Sequence, residues 1–152
     1  MTKTIEEIKQ KLAPIFEKRK VALAYLFGSR ARGNVGPLSD VDIAVVFSKK
    51  VPKDKQFDLE LSMMSDIGSV FKIDRVDVVN LETCKSPLLK HRAVFYAKPL
   101  YVTDEEQRFM IEQKIRREYE DTNHIRETQY QIMRRHLVHK TFGKPEIYVP
   151  TR

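Results

Sequence analysis

The chain has 152 residues, 41% of them hydrophobic and 32% charged, with no tryptophan; this suits one domain of ordinary size with a genuine core and excludes a multidomain enzyme within this length. Lys and Arg number 28 against 21 Asp and Glu, a formal net charge of +7, so an anionic partner such as a nucleotide, a nucleic acid or an acidic protein face is expected. The excess lies in residues 1–103, with 18 basic and 12 acidic side chains, whereas residues 104–152 carry 10 and 9. A single cysteine, Cys84, excludes an internal disulfide and a thiol metal knuckle. No apolar run approaches the roughly 20 residues needed to span a bilayer. Met1 to Lys20 is too interrupted by charge for a signal peptide, so a cytoplasmic protein without a membrane partner is expected.

In chain order, Thr4 with Glu7 forms a capping-box pattern ahead of Ile5, Ile8, Leu12, Ile15 and Phe16, which predicts a helix with one apolar face, kinked or restarted at Pro14. Val21 to Phe27 is a continuous apolar run of strand length, expected to be covered on both faces and ending at Gly28. Asp40 to Phe47 reads as a second strand, with Val41, Ile43 and Val45 on one side and Asp40, Asp42, Ala44 and Val46 on the other. Over residues 53–71, Phe57, Leu61, Met64, Ile67, Gly68 and Phe71 recur at helical spacing. A third strand is expected from Arg75 to Leu81, a helix from Ser86-Pro87 to about Tyr96, and a short edge strand from Pro99 to Val102. Between Asp104 and Thr141 no Gly or Pro occurs, and Phe109, Ile115, Tyr119, Ile125, Ile132, Met133 and Leu137 make only a thin stripe. One long helix is expected there, lying on its own domain or serving as an arm for a partner. The organisation expected is a core at 1–103 and a C-terminal helix and tail at 104–152, within one domain.

The chemistry concentrates in Leu26-Phe27-Gly28-Ser29-Arg30-Ala31-Arg32-Gly33 and the following Ser39-Asp40-Val41-Asp42. A strand ending at glycine lets backbone approach a ligand closely. Ser29 then offers a hydroxyl, and the backbone N–H groups after it a seat for phosphate oxygens. Arg30 and Arg32 could pair with phosphate or be solvated. Asp40 and Asp42, two apart on a strand, project from the same face. Two such carboxylates are what Mg²⁺ takes from a protein when it already holds a substrate phosphate. A third carboxylate would allow two metal ions; Asp77, within the third strand, is preferred to Asp74 just before it. With two ions, one would hold the triphosphate tail while the other lowers the pKa of an attacking hydroxyl, whose proton Asp77 could accept. Gly28 to Gly33 also has P-loop spacing, but Asn34-Val35 stands where Lys and Ser/Thr are required, which defeats that reading.

Gly28, Ser29, Asp40 and Asp42 together reproduce the G-S-x10-D-x-D pattern, and on it the sequence resembles the minimal nucleotidyltransferases of the DNA polymerase β-like superfamily. The resemblance is closest over residues 21–47 and extends less sharply through Val76–Val79 and residues 86–90. It implies an α/β fold with a short mixed sheet flanked by helices, and Mg²⁺-dependent transfer of a nucleoside monophosphate from a nucleoside triphosphate with release of pyrophosphate. Small single-domain members look like the MntA-type antitoxins, which adenylylate a tyrosine of a HEPN-type RNase toxin. The resemblance therefore implies ATP as substrate, a HEPN-type toxin as partner, Gly28 and Ser29 as triphosphate ligands, and Asp40, Asp42 and Asp77 as metal ligands. The roughly 50 residues after the core are too few for a polymerase's extra domains, so nucleic acid is not the expected substrate. A purely binding antitoxin and a nucleotidyltransferase acting on an aminoglycoside-like hydroxyl are the alternatives. Arg117 and His124 superficially match the R-x4-6-H motif of the toxins themselves, but that bundle needs more chain. His136 and His139 lack a third ligand, and Tyr119 and Tyr130 are expected to be packing residues.

Overall fold

The computed structural model describes residues 4–28 and 40–139. Helix α1 (Ile5–Lys18) starts where expected: the Thr4 hydroxyl accepts a hydrogen bond from the Glu7 N–H, and Glu6 and Glu7 occupy the favourable first turn. Pro14 lies inside the helix, which runs on to Lys18 and buries Ile8, Leu12 and Phe16. Strands β1 (Val21–Phe27) and β2 (Val41–Phe47) pair antiparallel, helix α2 (Lys53–Phe71) crosses over, and β3 (Val76–Asn80) returns parallel to β2. Helix α3 (Pro87–Phe95) is capped by Ser86, whose hydroxyl accepts from the Leu89 N–H, and leads to β4 (Lys98–Val102), antiparallel to β1. The sheet order β3-β2-β1-β4 makes it short and mixed, with β4 an edge as expected.

Both faces of the sheet are covered, as the continuous apolar run of β1 requires. On one face α1 and α2 pack on Val41, Ile43, Val45 and Phe47. On the other, Leu23, Tyr25, Ala44 and Val46 meet Ala93 and Val94 of α3 and Ile115 further along the chain. A register shift between Val21 and Leu23 breaks the strict alternation of β1, so Val21 and Ala24 share the first face while Leu23 and Tyr25 point to the second.

Two expectations need correction. The buried stripe of α2 is Gln56, Met63 and Ile67, while Phe57 and Leu61, expected to face inward, are 65% and 48% exposed. Ile67, Met64 and Phe71 of the expected stripe do meet the core, but near the start of the helix a polar pair is buried instead: Asn80 Nδ2 donates to Gln56 Oε1 at 2.8 Å, and apolar periodicity carries no signal for such a pair. The single long C-terminal helix is instead two, α4 (Glu105–Asp121) and α5 (Asn123–His139). At the break, the Thr122 hydroxyl donates back to the carbonyls of Glu118 and Tyr119, a local bond that bends helices. The alternative between own core and partner arm divides at the same residue, since α4 buries Ile115 and α5 buries nothing among its described side chains. Tyr130, expected to pack, is 54% exposed. Among the described residues, no helix is long and apolar enough to cross a membrane.

One polar contact ties α4 to the middle of the sheet. The Tyr25 hydroxyl donates to Glu112 Oε1 at 2.7 Å, and Arg108 Nε donates to the same oxygen at 2.9 Å. Burial, with the Glu112 carboxylate beside it, pushes the Tyr25 phenol above its ordinary pKa. Tyr25→Phe keeps the packed ring and removes one bond to a carboxylate that Arg108 still satisfies. We expect it to lower stability by about 1–2 kcal/mol, read as a lower urea midpoint at unchanged slope.

Candidate active site

Three strands bring the sequence-predicted aspartates to one end of the sheet. Phe27, the last residue of β1, pairs with Asp42 of β2, and Asp42 pairs in register with Asp77 of β3. Because β2 and β3 are parallel and in register, the two carboxylates share one rung and one face. Asp40, two residues earlier, comes to the same place from just outside the strand. The electrostatics record the cluster. The Asp42 carboxyl is pushed above the usual carboxylate range, first by burial, then by the negative charges of Asp77 and Asp40 and a hydrogen bond shared with Asp77. Asp42 and Asp40 are half-buried and Asp77 is exposed. Asp74 is not among the groups that act on Asp42.

Gly28 closes the other side. Its φ of +77° is open to glycine and strained for an L side chain, and a Cβ there would stand 2.2 Å from Asp42 Oδ2. Strand β1 thus delivers bare backbone against the central carboxylate. Ser29, Arg30 and Arg32, the other candidate nucleotide-binding residues, lie outside the described residues.

The donor set fits a hard divalent cation. Mg²⁺ asks for one or two protein carboxylates and completes its octahedron with water and phosphate. Asp42 with Asp40 or Asp77 meets that demand, and the neighbouring negative charges that, after burial, raise the Asp42 pKa are what such an ion would neutralise. Among the described residues, no group of three or more His, Cys, Asp or Glu forms a ready-made metal cage.

A groove of about 950 Å³ opens on the same sheet face but at its opposite end, beside Val46, Leu81 and the α4 residues Met110, Ile111 and Ile115; none of the three aspartates lines it. The sequence held no signal for an aromatic stack on that face. The His91 ring of α3 lies 3.8 Å from the Tyr119 ring of α4, nearly parallel, and the Arg126 guanidinium of α5 covers the Tyr119 ring at 3.9 Å. Burial and the charges of Arg126 and Arg116 hold the His91 pKa below its ordinary value. Arg117 and His124, the toxin-like pair of the sequence, fall on two separate helices and are both exposed.

Known proteins share parts of this sequence and this fold. A curated relative, Protein adenylyltransferase MntA of Aphanizomenon flos-aquae (strain 2012/KM1/D3), is 34% identical over 86 residues, or 50% of this chain and 53% of that protein. The chain thus spans about half the length of the curated relative it matches. Among solved structures, a toxin-antitoxin with AMP-PNP superposes with a TM-score of 0.66 at 24% identity, covering 82% of this chain and 97% of the other. The complex of a tri-AMPylated Shewanella oneidensis HEPN toxin with MNT antitoxin gives a TM-score of 0.63 at 21% identity over 86% and 98%. At these identities the superpositions establish a shared fold. Residues 10–106, from α1 to the start of α4, match the family described as Polymerase beta, Nucleotidyltransferase, and with the sheet and carboxylate rung described above they make this chain a member of that family.

Proposed function

We propose that the chain is the antitoxin of a HEPN-type toxin-antitoxin pair, an adenylyltransferase that moves AMP from ATP to a tyrosine hydroxyl of its toxin. The observation that carries this is the rung of Asp42 and Asp77 with Asp40 beside it, facing a glycine that leaves no side chain in the way. The curated relative is a protein adenylyltransferase, and a similar solved structure holds an AMPylated HEPN toxin with its antitoxin, which supports the same reading.

Asp40, Asp42 and Asp77 would hold Mg²⁺, which when bound neutralises the triphosphate and makes the attacking hydroxyl more acidic. The bare backbone at Gly28 would admit the phosphates close to the carboxylates, followed by Ser29 and the flanking Arg30 and Arg32 as further phosphate ligands. The tyrosine oxygen forms a bond to the α-phosphorus, the bond from that phosphorus to the bridging oxygen breaks, and pyrophosphate leaves with the electron pair. The exposed Asp77 would accept the phenolic proton. Positioning and charge neutralisation supply most of the rate.

Incubation with α-labelled ATP, Mg²⁺ and the product of the neighbouring gene is expected to label that protein on tyrosine. One pyrophosphate should be released per AMP transferred, and EDTA should abolish both. A folded chain that binds ATP and Mg²⁺ yet labels nothing would overturn the reading. Pyrophosphate release on adding an aminoglycoside, with no protein acceptor present, would replace it with the small-molecule alternative.

A further inference from the structure

Helix α5 contributes no described side chain to either core of the domain. It also lies beyond the segment that matches the catalytic family, which ends at residue 106. Yet it is neither all polar nor loosely attached. Ile125, Met133 and Leu137 fall within about a third of the helix circumference and are 47%, 47% and 64% exposed. The first turn is anchored. Arg126 lies over the Tyr119 ring, donates to the Thr122 hydroxyl at 2.5 Å and donates to the Tyr119 carbonyl, while Tyr119 stacks on His91 of α3. Helix α4, itself braced by α3, thus holds the root of α5 in place while its apolar stripe stays in solvent. A lone helix of 17 residues is marginal in water and gains stability by burying such a stripe.

Charge says what kind of surface would cover it. Along α5, Arg126, Arg134 and Arg135 stand against the single carboxylate of Glu127, with three histidines besides, whereas α4 carries six acidic and four basic side chains. An apolar stripe bordered by arginine fits an apolar groove rimmed by carboxylates. We infer that α5 is the docking arm for the protein substrate, seating Ile125, Met133 and Leu137 in an acidic-rimmed groove of the toxin. The identity of that partner rests on the adenylyltransferase reading above; the docking chemistry rests on α5 itself.

The test uses the full chain and two surface variants, Met133→Asp/Leu137→Asp and Arg134→Glu, titrated with the HEPN-type protein in EDTA and without ATP, so that binding is read apart from transfer. Each variant is expected to weaken binding at least about tenfold. ATP binding and melting temperature should match the parent, and transfer at saturating partner should be retained, so that KM rises while kcat holds. Unchanged affinity in both variants overturns the inference and leaves the adenylyltransferase reading intact. A parent chain that binds the toxin through α5 but transfers no AMP overturns that reading and leaves the docking arm standing. A parent dimer in sedimentation that both variants lose, with toxin affinity unmoved, would assign the stripe to a second copy. Tight binding of a short RNA or of phosphatidylserine vesicles, lost in the same variants while toxin binding stays, would likewise overturn the inference.

Discussion

Asp42→Asn is expected to abolish the proposed AMP transfer, by on the order of 10³-fold or more, and to make the apo chain more stable. The two effects have one cause. Asp42 sits between Asp40 and Asp77, half-buried, and its charged form is disfavoured by burial and by both neighbours. An asparagine amide removes that repulsion and can donate to the Asp77 carboxylate, but it gives a cation only a neutral oxygen. In EDTA the variant should melt above the parent at neutral pH. The pH dependence follows from linkage. A carboxyl whose folded pKa is raised contributes stability while protonated, and that contribution is lost as pH rises through the folded value. The parent should therefore match the variant below about pH 4 and fall behind it as pH rises toward neutrality. A variant that melts at or below the parent at neutral pH would show that the three carboxylates do not repel one another in solution. The same protein separates catalysis from binding: toxin neutralised by Asp42→Asn without transfer would favour a purely binding antitoxin.

Gly28→Ala is expected to cost both stability and activity. At φ +77° an alanine is strained by about 1–2 kcal/mol. Its Cβ would also meet Asp42 at 2.2 Å from Oδ2, 3.1 Å from Cγ and 3.4 Å from Cβ. The Asp42 backbone is paired to β1 on one side and β3 on the other, so the carboxylate rather than the strand must move. A displacement of about 1 Å at a reacting centre costs roughly 10²-fold in rate, and transfer should fall by at least that much. Urea unfolding of Gly28→Ala, Asp42→Ala and the double variant resolves the contributions. The Gly28→Ala penalty should shrink to the backbone strain alone once the carboxylate is gone. Strict additivity would mean that glycine is required only for its backbone conformation.

The local elements were legible because their signals are local. Seven consecutive apolar residues in β1 announced a strand covered on both faces, and both cores lie against it. Alternation in β2 separated Val41, Ile43 and Val45 from Asp42, and the two sets meet different faces. Caps at Thr4 and Ser86 marked the starts of α1 and α3. Where a polar side chain replaced an apolar one inside, periodicity misled: Gln56 is buried against Asn80, and Phe57, its neighbour, faces solvent. At Thr122 the break comes from a hydroxyl bonding back to two carbonyls and from Arg126 closing over Tyr119, neither of which a stretch free of Gly and Pro reveals.

From its sequence alone this protein has a glycine at the end of a buried strand, two aspartates on one face of the next, and a charged helical segment after the core, because each depends only on residue type and on the two- or three-to-four-residue period of the backbone. Which other aspartate lies beside Asp42 depends on tertiary structure. Asp77 rather than Asp74 meets Asp42 because β3 runs parallel to β2 in register, a pairing between residues 35 positions apart that no local spacing encodes. Tertiary structure also decided that α4 belongs to the domain while α5 stands off it. That outcome depends on Tyr25, Glu112 and Arg108 closing one contact and on His91, Tyr119 and Arg126 stacking across three helices.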